Sequence, residues 1–301
     1  MGELSVSIIL PVYNRESSIQ RAVDSILEQT YQDFELIIID DASSDQTGEL
    51  IKAYKTDKIY YIRLEKNVGA AAARNVGIKA ARYEWLSFHD SDDTWHPEKL
   101  EKQVALIDPK DEHPPIIYCS FFREKSGKRE YIPEPSPFPK EGDILKSLLI
   151  RNFISTQTVL LRKDYLTDVG LFDEEMPRFQ DWELWIRLAQ KYSFRWLDEP
   201  LVNVFYTESS ISSEIVKLLE AFRLIMTKHY QVYEAAGAYY VASLLFSYGH
   251  NLCLAGDTKQ GRYYLLRAYR ENKGLRKSGV SILVSLLGKR GYSFIYSLLK
   301  K

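Results

Sequence analysis

The sequence predicts an α/β fold, a mostly parallel sheet flanked by helices and followed by an α-helical C-terminal region. Three observations predict it. Short apolar runs alternate with amphipathic stretches through the first hundred residues, the pattern of strand–helix units joined by right-handed crossovers. Two of those runs are apolar at nearly every position, as strands covered on both faces are. From Ile215 onward the patterns are helical only.

Taken in order, Val6 to Leu10 is a buried strand that stops at Pro11. Glu16-Ser17-Ser18 then opens a helix with Ile19, Ala22, Val23, Ile26 and Leu27 on one face. Phe34 to Ile39 is a central strand that ends in the polar loop Asp40 to Asp45, which caps a helix through Leu50, Ile51 and Tyr54. Ile59 to Leu64 is a third strand, Gly69 to Ala81 an alanine-rich helix, and Tyr83 to Phe88 a fourth strand. In such sheets ligands sit at the carboxyl ends of the strands. Here those ends read Tyr13-Asn14, Asp40-Asp41 and Asp90-Ser91-Asp92-Asp93, all suited to a polar ligand.

The middle is less regular. Tyr131 to Pro139 holds four prolines and reads as a surface loop. Ile144 to Ile150 is helical, Thr158 to Arg162 a strand, and Trp182 to Lys191 a helix with Trp185, Leu188 and Ala189 inward. Beyond it, Tyr239 to Ala255 and Lys259 to Tyr269 form a helical hairpin around Gly256-Asp257, similar to one tetratricopeptide-type unit. A single unit without a repeat is an accessory, not an array.

The net charge of −1 conceals an asymmetry. From Glu214 onward 14 Lys/Arg oppose 5 acids, so the tail carries +9 and the first 213 residues −10. From Lys259 to the end there are 11 Lys/Arg against Glu271 alone, mixed with Leu, Ile, Tyr and Phe. Basic residues beside an apolar stripe suit a helix lying on an anionic membrane surface, or else a solvated face on helices that pack onto the body. Nucleic acid is disfavoured, because the body is acidic and no binding motif is present.

The composition, 27% charged and 45% apolar, is that of a globular protein and excludes a disordered chain. Two cysteines, Cys119 and Cys253, make no disulfide framework. Met1 to Ser5 has no basic stretch of a secretory signal, and Val6 stands where myristoylation wants Ser or Thr. Ser278 to Leu299 is interrupted by Lys289-Arg290 and is a poor spanning helix. The expected location is therefore cytoplasmic, with peripheral attachment to the inner face of the membrane as an option.

The richest chemical signal is Asp90-Ser91-Asp92-Asp93, after a strand and before Trp95-His96-Pro97. Three acids in four residues repel one another unless a cation offsets them, and hard oxygen ligands of this kind suit Mg²⁺ or Mn²⁺ held together with a phosphate-bearing substrate. A solvated helix start is the competing reading. None of the five histidines has ligand spacing to another, so zinc is not expected.

Together with this cluster, Pro11-Val12-Tyr13-Asn14, Glu35 to Ser43, Asn67-Val68-Gly69 and Ala73-Arg74-Asn75 occur in an order and spacing that resembles family 2 of the inverting glycosyltransferases, bacterial polysaccharide-biosynthesis enzymes of GT-A fold. Val169 to Glu174 and Gln180-Asp181-Trp182-Glu183-Leu184-Trp185 are similar to that family's acceptor-side motif, and the resemblance covers about residues 5–212. It implies a transferase domain over 1–213, with a nucleotide-sugar half (1–105) and an acceptor half (106–213), before a basic helical region over 214–301.

The resemblance also implies roles. Tyr13 stacks on the base, usually uracil, or else packs on a neighbour. Asp41 accepts the uracil N3–H, with Asp40 as the alternative contact or a plain cap. Pro11, Gly69 and Ser91 belong to the same nucleotide-sugar site. Arg74 reaches base or phosphates, or is a surface charge. Asp90 lies near the ribose, and Asp92 binds Mn²⁺ or Mg²⁺, with Asp93 as the second candidate one residue away. Asp181 is the general base, with an N-cap as its bland alternative, and its place at a helix start favours the carboxylate. Glu183, two residues on, points elsewhere.

The implied reaction is metal-dependent, inverting transfer from a UDP-sugar to an acceptor hydroxyl of a carbohydrate, possibly lipid-diphosphate-linked, in surface polysaccharide assembly. One departure stands out: where the family often carries Tyr-Arg-x-His, this chain reads Tyr206-Thr207-Glu208-Ser209-Ser210-Ile211-Ser212, so its leaving-group cation must come from elsewhere. The alternatives are a nucleotidyltransferase, for which Tyr13 to Glu16 lacks the glycines, and a non-catalytic nucleotide-sugar-binding scaffold.

Overall fold

The computed structural model describes residues 4–125, 127–205 and 215–299. The chain divides into two compact units, the first built from 1–148, 152–175 and 180–208, the second from 149–151, 176–179 and 209–301.

The first unit begins with β1 (Val6–Val12), α1 (Ile19–Leu27), β2 (Phe34–Asp40), α2 (Thr47–Lys52), β3 (Ile59–Arg63), α3 (Ala70–Ala80) and β4 (Trp85–Phe88). These four strands pair in parallel in the order β3-β2-β1-β4. β1, β2 and β4 are buried along their whole length, which is why they read as unbroken apolar runs. The same burial makes α1 amphipathic, with Ile19, Ala22, Val23 and Ile26 inward.

β1 runs two residues past its expected end. Ile9 O accepts the His89 N–H on the β4 side (2.9 Å), and pairing with β4 ends at Ile9 and Phe88. Pro11, two residues on, turns its donorless nitrogen to that vacated side, so proline costs the strand no ladder bond.

After β4 come β5 (Thr94–Trp95), α4 (Lys99–Val104), β6 (Ile116–Lys125), β7 (Lys128–Ile132), α5 (Leu145–Leu148), β8 (Val159–Arg162), α6 (Lys163–Val169), α7 (Gln180–Leu188) and β9 (Phe194–Phe205). They extend the sheet as β4-β8-β6-β9-β5, with β7 beside β6. Here β8 is antiparallel to both β4 and β6, while β6 and β9 are parallel. The fold is thus a parallel half joined to a mixed half in one sheet.

The second unit is helical: α8 (Ile215–Ala236), α9 (Ala238–Ala255), α10 (Thr258–Glu271), α11 (Arg276–Ser285) and α12 (Gly288–Leu299). The expected hairpin is α9–α10. Asp257 caps α10 by accepting the Gln260 N–H (3.0 Å). A Cβ on Gly261 would come within 2.4 Å of Cys253 Sγ, and one on Gly249 within 2.8 Å of Gly261 O, so the crossing needs both glycines. No described helix is long and apolar enough to cross a membrane.

Candidate active site

The carboxyl ends of β1, β2 and β4 form one edge of the parallel half, and loop chemistry knits them together. Asn14, in the left-handed region (φ 49°), accepts the Ser44 N–H at Oδ1 (2.8 Å), and its own N–H donates to Ser43 Oγ (3.0 Å). The Tyr13 ring projects from this junction and is 44% exposed.

The two adjacent aspartates have separate jobs. Asp40 is fully buried, accepting from Ser43 N–H (2.7 Å), Arg63 Nη1 (2.7 Å) and the Tyr61 hydroxyl. Burial alone would raise its carboxyl, but those donors and the Arg63 charge hold it below the usual range. Asp41 accepts the Val68 N–H at Oδ1 (2.7 Å) and the Gly69 N–H at Oδ2 (2.8 Å), which leaves each oxygen one lone pair. Gly69 stands at φ 88° as α3 begins, a turn that favours glycine.

Arg74 is buried, not a surface charge. Its Nη2 donates to Asp90 Oδ1 at 2.6 Å and its Nη1 reaches Gln180 Oε1 at 3.4 Å. The buried Nε–H has no acceptor among the described residues. The ring of Phe172 lies 5.5 Å from the guanidinium carbon, and Asn75 holds Phe172 by both backbone groups (2.9 and 3.0 Å).

The acidic cluster separates in space. Asp90 and Asp92 keep partly exposed carboxyls, whereas Asp93 is buried. Asp93 Oδ2 accepts from Gln157 Nε2, and its Oδ1 from the Phe205 N–H (2.9 Å). Ser91 is buried and its carbonyl accepts from Ser18 Oγ (2.9 Å). The Asp92 carbonyl accepts from Arg21 Nη2 (2.6 Å), and Arg15 Nε stands 3.7 Å from the Asp92 carboxylate. Burial and the charge of Asp90 push the Asp92 carboxyl up, against Arg15 and Arg21. Burial does the same to Asp93, with Asp90 and Asp92 adding to it. Tyr206 to Ser212, the stretch that departs from the family, lies outside the described residues.

Asp181, in the first turn of α7, accepts from Asn152 Nδ2 (2.8 Å) and from the Trp182 N–H (2.8 Å). The sequence favours an easily ionised carboxylate at a helix start. In the structure burial outweighs those two donors and Arg74, and with Asp90 raises the carboxyl above 3.8. Glu183 faces away, as spacing predicts. It receives Arg187 Nε (2.9 Å) and Nη2 (2.7 Å), and the same guanidinium donates to the carbonyls of Val169, Gly170 and Leu171 at 2.6–2.7 Å. The Trp182 and Trp185 indoles bind the carbonyls of Leu148 (2.7 Å) and Ile154 (3.0 Å), fixing the strand of chain that carries Asn152.

Asn152 and Gln157 escape sequence reading, their only signal being amides set among the apolar residues before β8, and Gln180 is seen only as the start of the acceptor-side motif. His89 also escapes it. Buried against Trp95, it donates from Nδ1 to Asp90 O (2.7 Å), and burial lowers its imidazole to about 4, so it is a neutral brace for the cluster. Among the described residues no three His, Cys, Asp or Glu side chains are arranged to hold a metal alone.

Known proteins similar to this chain give its family and fold. The family model described as Glycosyl transferase family 2 matches residues 7–169. An uncharacterized glycosyltransferase of Haemophilus influenzae is 28% identical over 94% of this chain and 96% of its own length. The amylovoran biosynthesis glycosyltransferase AmsB of Erwinia amylovora is 32% identical over 67% of this chain and 70% of its own. Among solved structures, S. aureus TarS 1-349 in complex with UDP-GlcNAc superposes with a TM-score of 0.65 at 24% identity, covering 83% of this chain and 72% of that one. These findings set aside the nucleotidyltransferase and scaffold alternatives: the chain is a transferase of GT-A-like fold and belongs to glycosyltransferase family 2.

Proposed function

We propose that the chain transfers a sugar from a UDP-sugar to a carbohydrate hydroxyl, with inversion, in the assembly of a cell-surface polysaccharide. Residues 1–213 act as the transferase domain and 214–301 as an appended helical region. The observation that carries this reading is the Arg74 guanidinium, which bonds Asp90 at the end of β4 and reaches Gln180, the neighbour of Asp181. It brings the donor-side acids and the candidate base to one place.

In this reading the exposed ring of Tyr13 is a platform for uracil, and the spare lone pairs of Asp41 accept the base N–H. Pro11, Gly69 and Ser91 shape the backbone around the nucleotide, and Asp90 meets the ribose. The unpartnered Nε–H of Arg74 supplies a donor for an anionic oxygen. TarS binds UDP-GlcNAc on a similar fold, which supports a uridine donor.

Asp181 takes the proton of the acceptor hydroxyl as that oxygen bonds to the anomeric carbon. The carbon–oxygen bond to the diphosphate breaks with its electron pair, and UDP leaves from the opposite face. One displacement inverts the centre, and the proton ends on Asp181.

The donor set fits Mn²⁺ or Mg²⁺. Asp92 offers an accessible carboxylate, while both oxygens of Asp93 are engaged, which favours Asp92 as ligand and Asp93 as its support. With no complete protein shell among the described residues, the ion would share its coordination with diphosphate oxygens. Bound there, it would offset charge on the leaving diphosphate. Arg15, beside Asp92, is the proposed second cation in place of the absent family Arg and His.

AmsB, by its name a polysaccharide-biosynthesis enzyme, supports the pathway class. A lipid-diphosphate-linked acceptor at the inner membrane face completes the reading. The test is Asp181→Asn, which keeps the side-chain size and one acceptor oxygen but removes the base. Transfer should fall by roughly 10²–10⁴-fold with UDP binding intact. Undiminished transfer would remove Asp181 from the mechanism.

A further inference from the structure

The first of the last two helices of the second unit buries three serines and leaves large apolar side chains in solvent. In α11, Ser278, Ser281 and Ser285 face inward with Val284. Their hydroxyls donate to their own helix, at the carbonyls of Leu275 (2.6 Å), Lys277 (2.8 Å) and Ile282 (2.6 Å). The inward side is therefore satisfied, and the helix has no hydrogen-bonding reason to rotate.

The opposite side is apolar. Val280 and Leu283 follow Arg276 at spacings of four and three, on one ridge of α11, and Leu286 and Leu287 stand in the turn that follows it. In α12 the buried residue is Tyr292, bonded to His250 Nδ1 at 2.8 Å, and Phe294 and Leu298 fall on the far side. Val280, Leu283, Leu286, Leu287, Phe294 and Leu298 are between 51% and 68% exposed. Six large apolar side chains left in solvent within 19 residues of chain point to a binding face.

Charge identifies the occupant. Between Asn272 and Leu299 there is no acid, while Lys273, Arg276 and Arg290 are exposed, the last two standing four residues before Val280 and Phe294. A second copy meeting this face would bring its own cations and no acid from the segment to pair with them. A bilayer with anionic headgroups complements both features: acyl chains for the ridge, headgroups for the Lys and Arg. Neither helix is long enough to span.

We propose that α11 and α12 form a docking surface that lies on a membrane containing anionic lipid. The surface belongs wholly to the second unit, so it stands or falls separately from the donor-site reading. The test is flotation of the full chain with vesicles of phosphatidylcholine alone or of phosphatidylcholine and phosphatidylglycerol in equal parts. The unaltered chain should float with the anionic vesicles only.

Arg276→Gln with Arg290→Gln should cut partitioning roughly twenty-five-fold, at about fivefold per charge. Leu283→Ser, Leu287→Ser and Phe294→Ser together should abolish it, with thermal melting and UDP-induced stabilisation unchanged because the side chains are exposed. Flotation of the triple variant like the unaltered chain would overturn the proposal. So would equal binding to neutral vesicles, or a dimer that the triple substitution dissociates with no vesicle binding.

Discussion

Arg187 is the position where the structure makes its sharpest claim about the Gln180-to-Trp185 motif. The sequence places two acids there; the Arg187 contacts make Glu183 a framework group, and the proposed mechanism takes Asp181 as the reactive one. Arg187→Ala would take from the Glu183 carboxylate, 3% exposed, the guanidinium that meets it at 2.7 Å. It would also strip donors from the carbonyls of Val169, Gly170 and Leu171. Removing one partner of a buried pair costs about 3–5 kcal/mol, because the other charge stays buried. At roughly 2–4 °C per kcal/mol for a unit of this size, melting should drop by about 6–20 °C. Lys at 187 should rescue little, since a point ammonium cannot serve a carboxylate and three carbonyls at once. The freed loop carries Phe172, against which Arg74 rests, so the donor KM should rise as well. The assay is thermal melting with donor-dependent kinetics on folded protein at reduced temperature. If melting of Arg187→Ala is unchanged, Glu183 is not a framework group and the division of labour in the motif is wrong.

Asp92→Asn should remove the effect of Mn²⁺ on UDP-induced thermal stabilisation without lowering the melting temperature of the free protein, whereas Asp93→Asn should lower that temperature by breaking the Gln157 and Phe205 contacts; parallel melts with and without Mn²⁺ decide it. The acid limb of kcat/KM should lie above pH 3.8, because the base works ionised and burial raises the Asp181 carboxyl; a limb at or below the ordinary aspartate value in a pH–rate profile would contradict this. Glu35 is held below 4.5, since the Ser7 hydroxyl and Arg82 together outweigh the opposing effect of its burial. Its contribution to stability is thus present above pH 4.5 and lost as pH falls through the lower folded value, and in Glu35→Gln denaturant midpoints should lose that part of their acid dependence.

The parallel half is legible because its strands are buried on both faces, so β1, β2 and β4 advertise themselves as apolar runs, and loops such as Asp40 to Asp45 follow where ligands bind. The mixed half hides itself. β9 carries Asp198-Glu199-Pro200 in mid-strand, which sequence patterning reads as a break. The structure accommodates it by a bulge: Leu197 opposes Cys119, Pro200 opposes Ser120, and the two acids between have no opposite residue. β6, β7 and α6 are likewise invisible beside a proline-rich segment that draws attention to loops. In the tail, periodicity reveals apolar residues beside basic ones but not their direction. Only the packed serines of α11 show that Leu283 and Leu287 face outward while Ile282 packs within the unit.

The site reads correctly as a cluster of acids and less well as individuals, and the reason is physical. An Asp in sequence carries one formal charge wherever it stands; its role depends on how many donors the fold delivers to it. Asp40 receives three, Asp93 and Glu183 have both oxygens or a whole guanidinium committed, and each is buried. Such groups hold loops. Asp90 and Asp92 face Arg74 and Arg15 from partly open positions, and retain negative charge that protein donors do not fully meet. That residual charge is what a cation bound with a diphosphate would complete. The acids of the first 213 residues therefore include framework groups met inside the protein, such as Asp40 and Glu183, and groups at the strand ends, Asp90 and Asp92, whose remaining charge is open to a ligand.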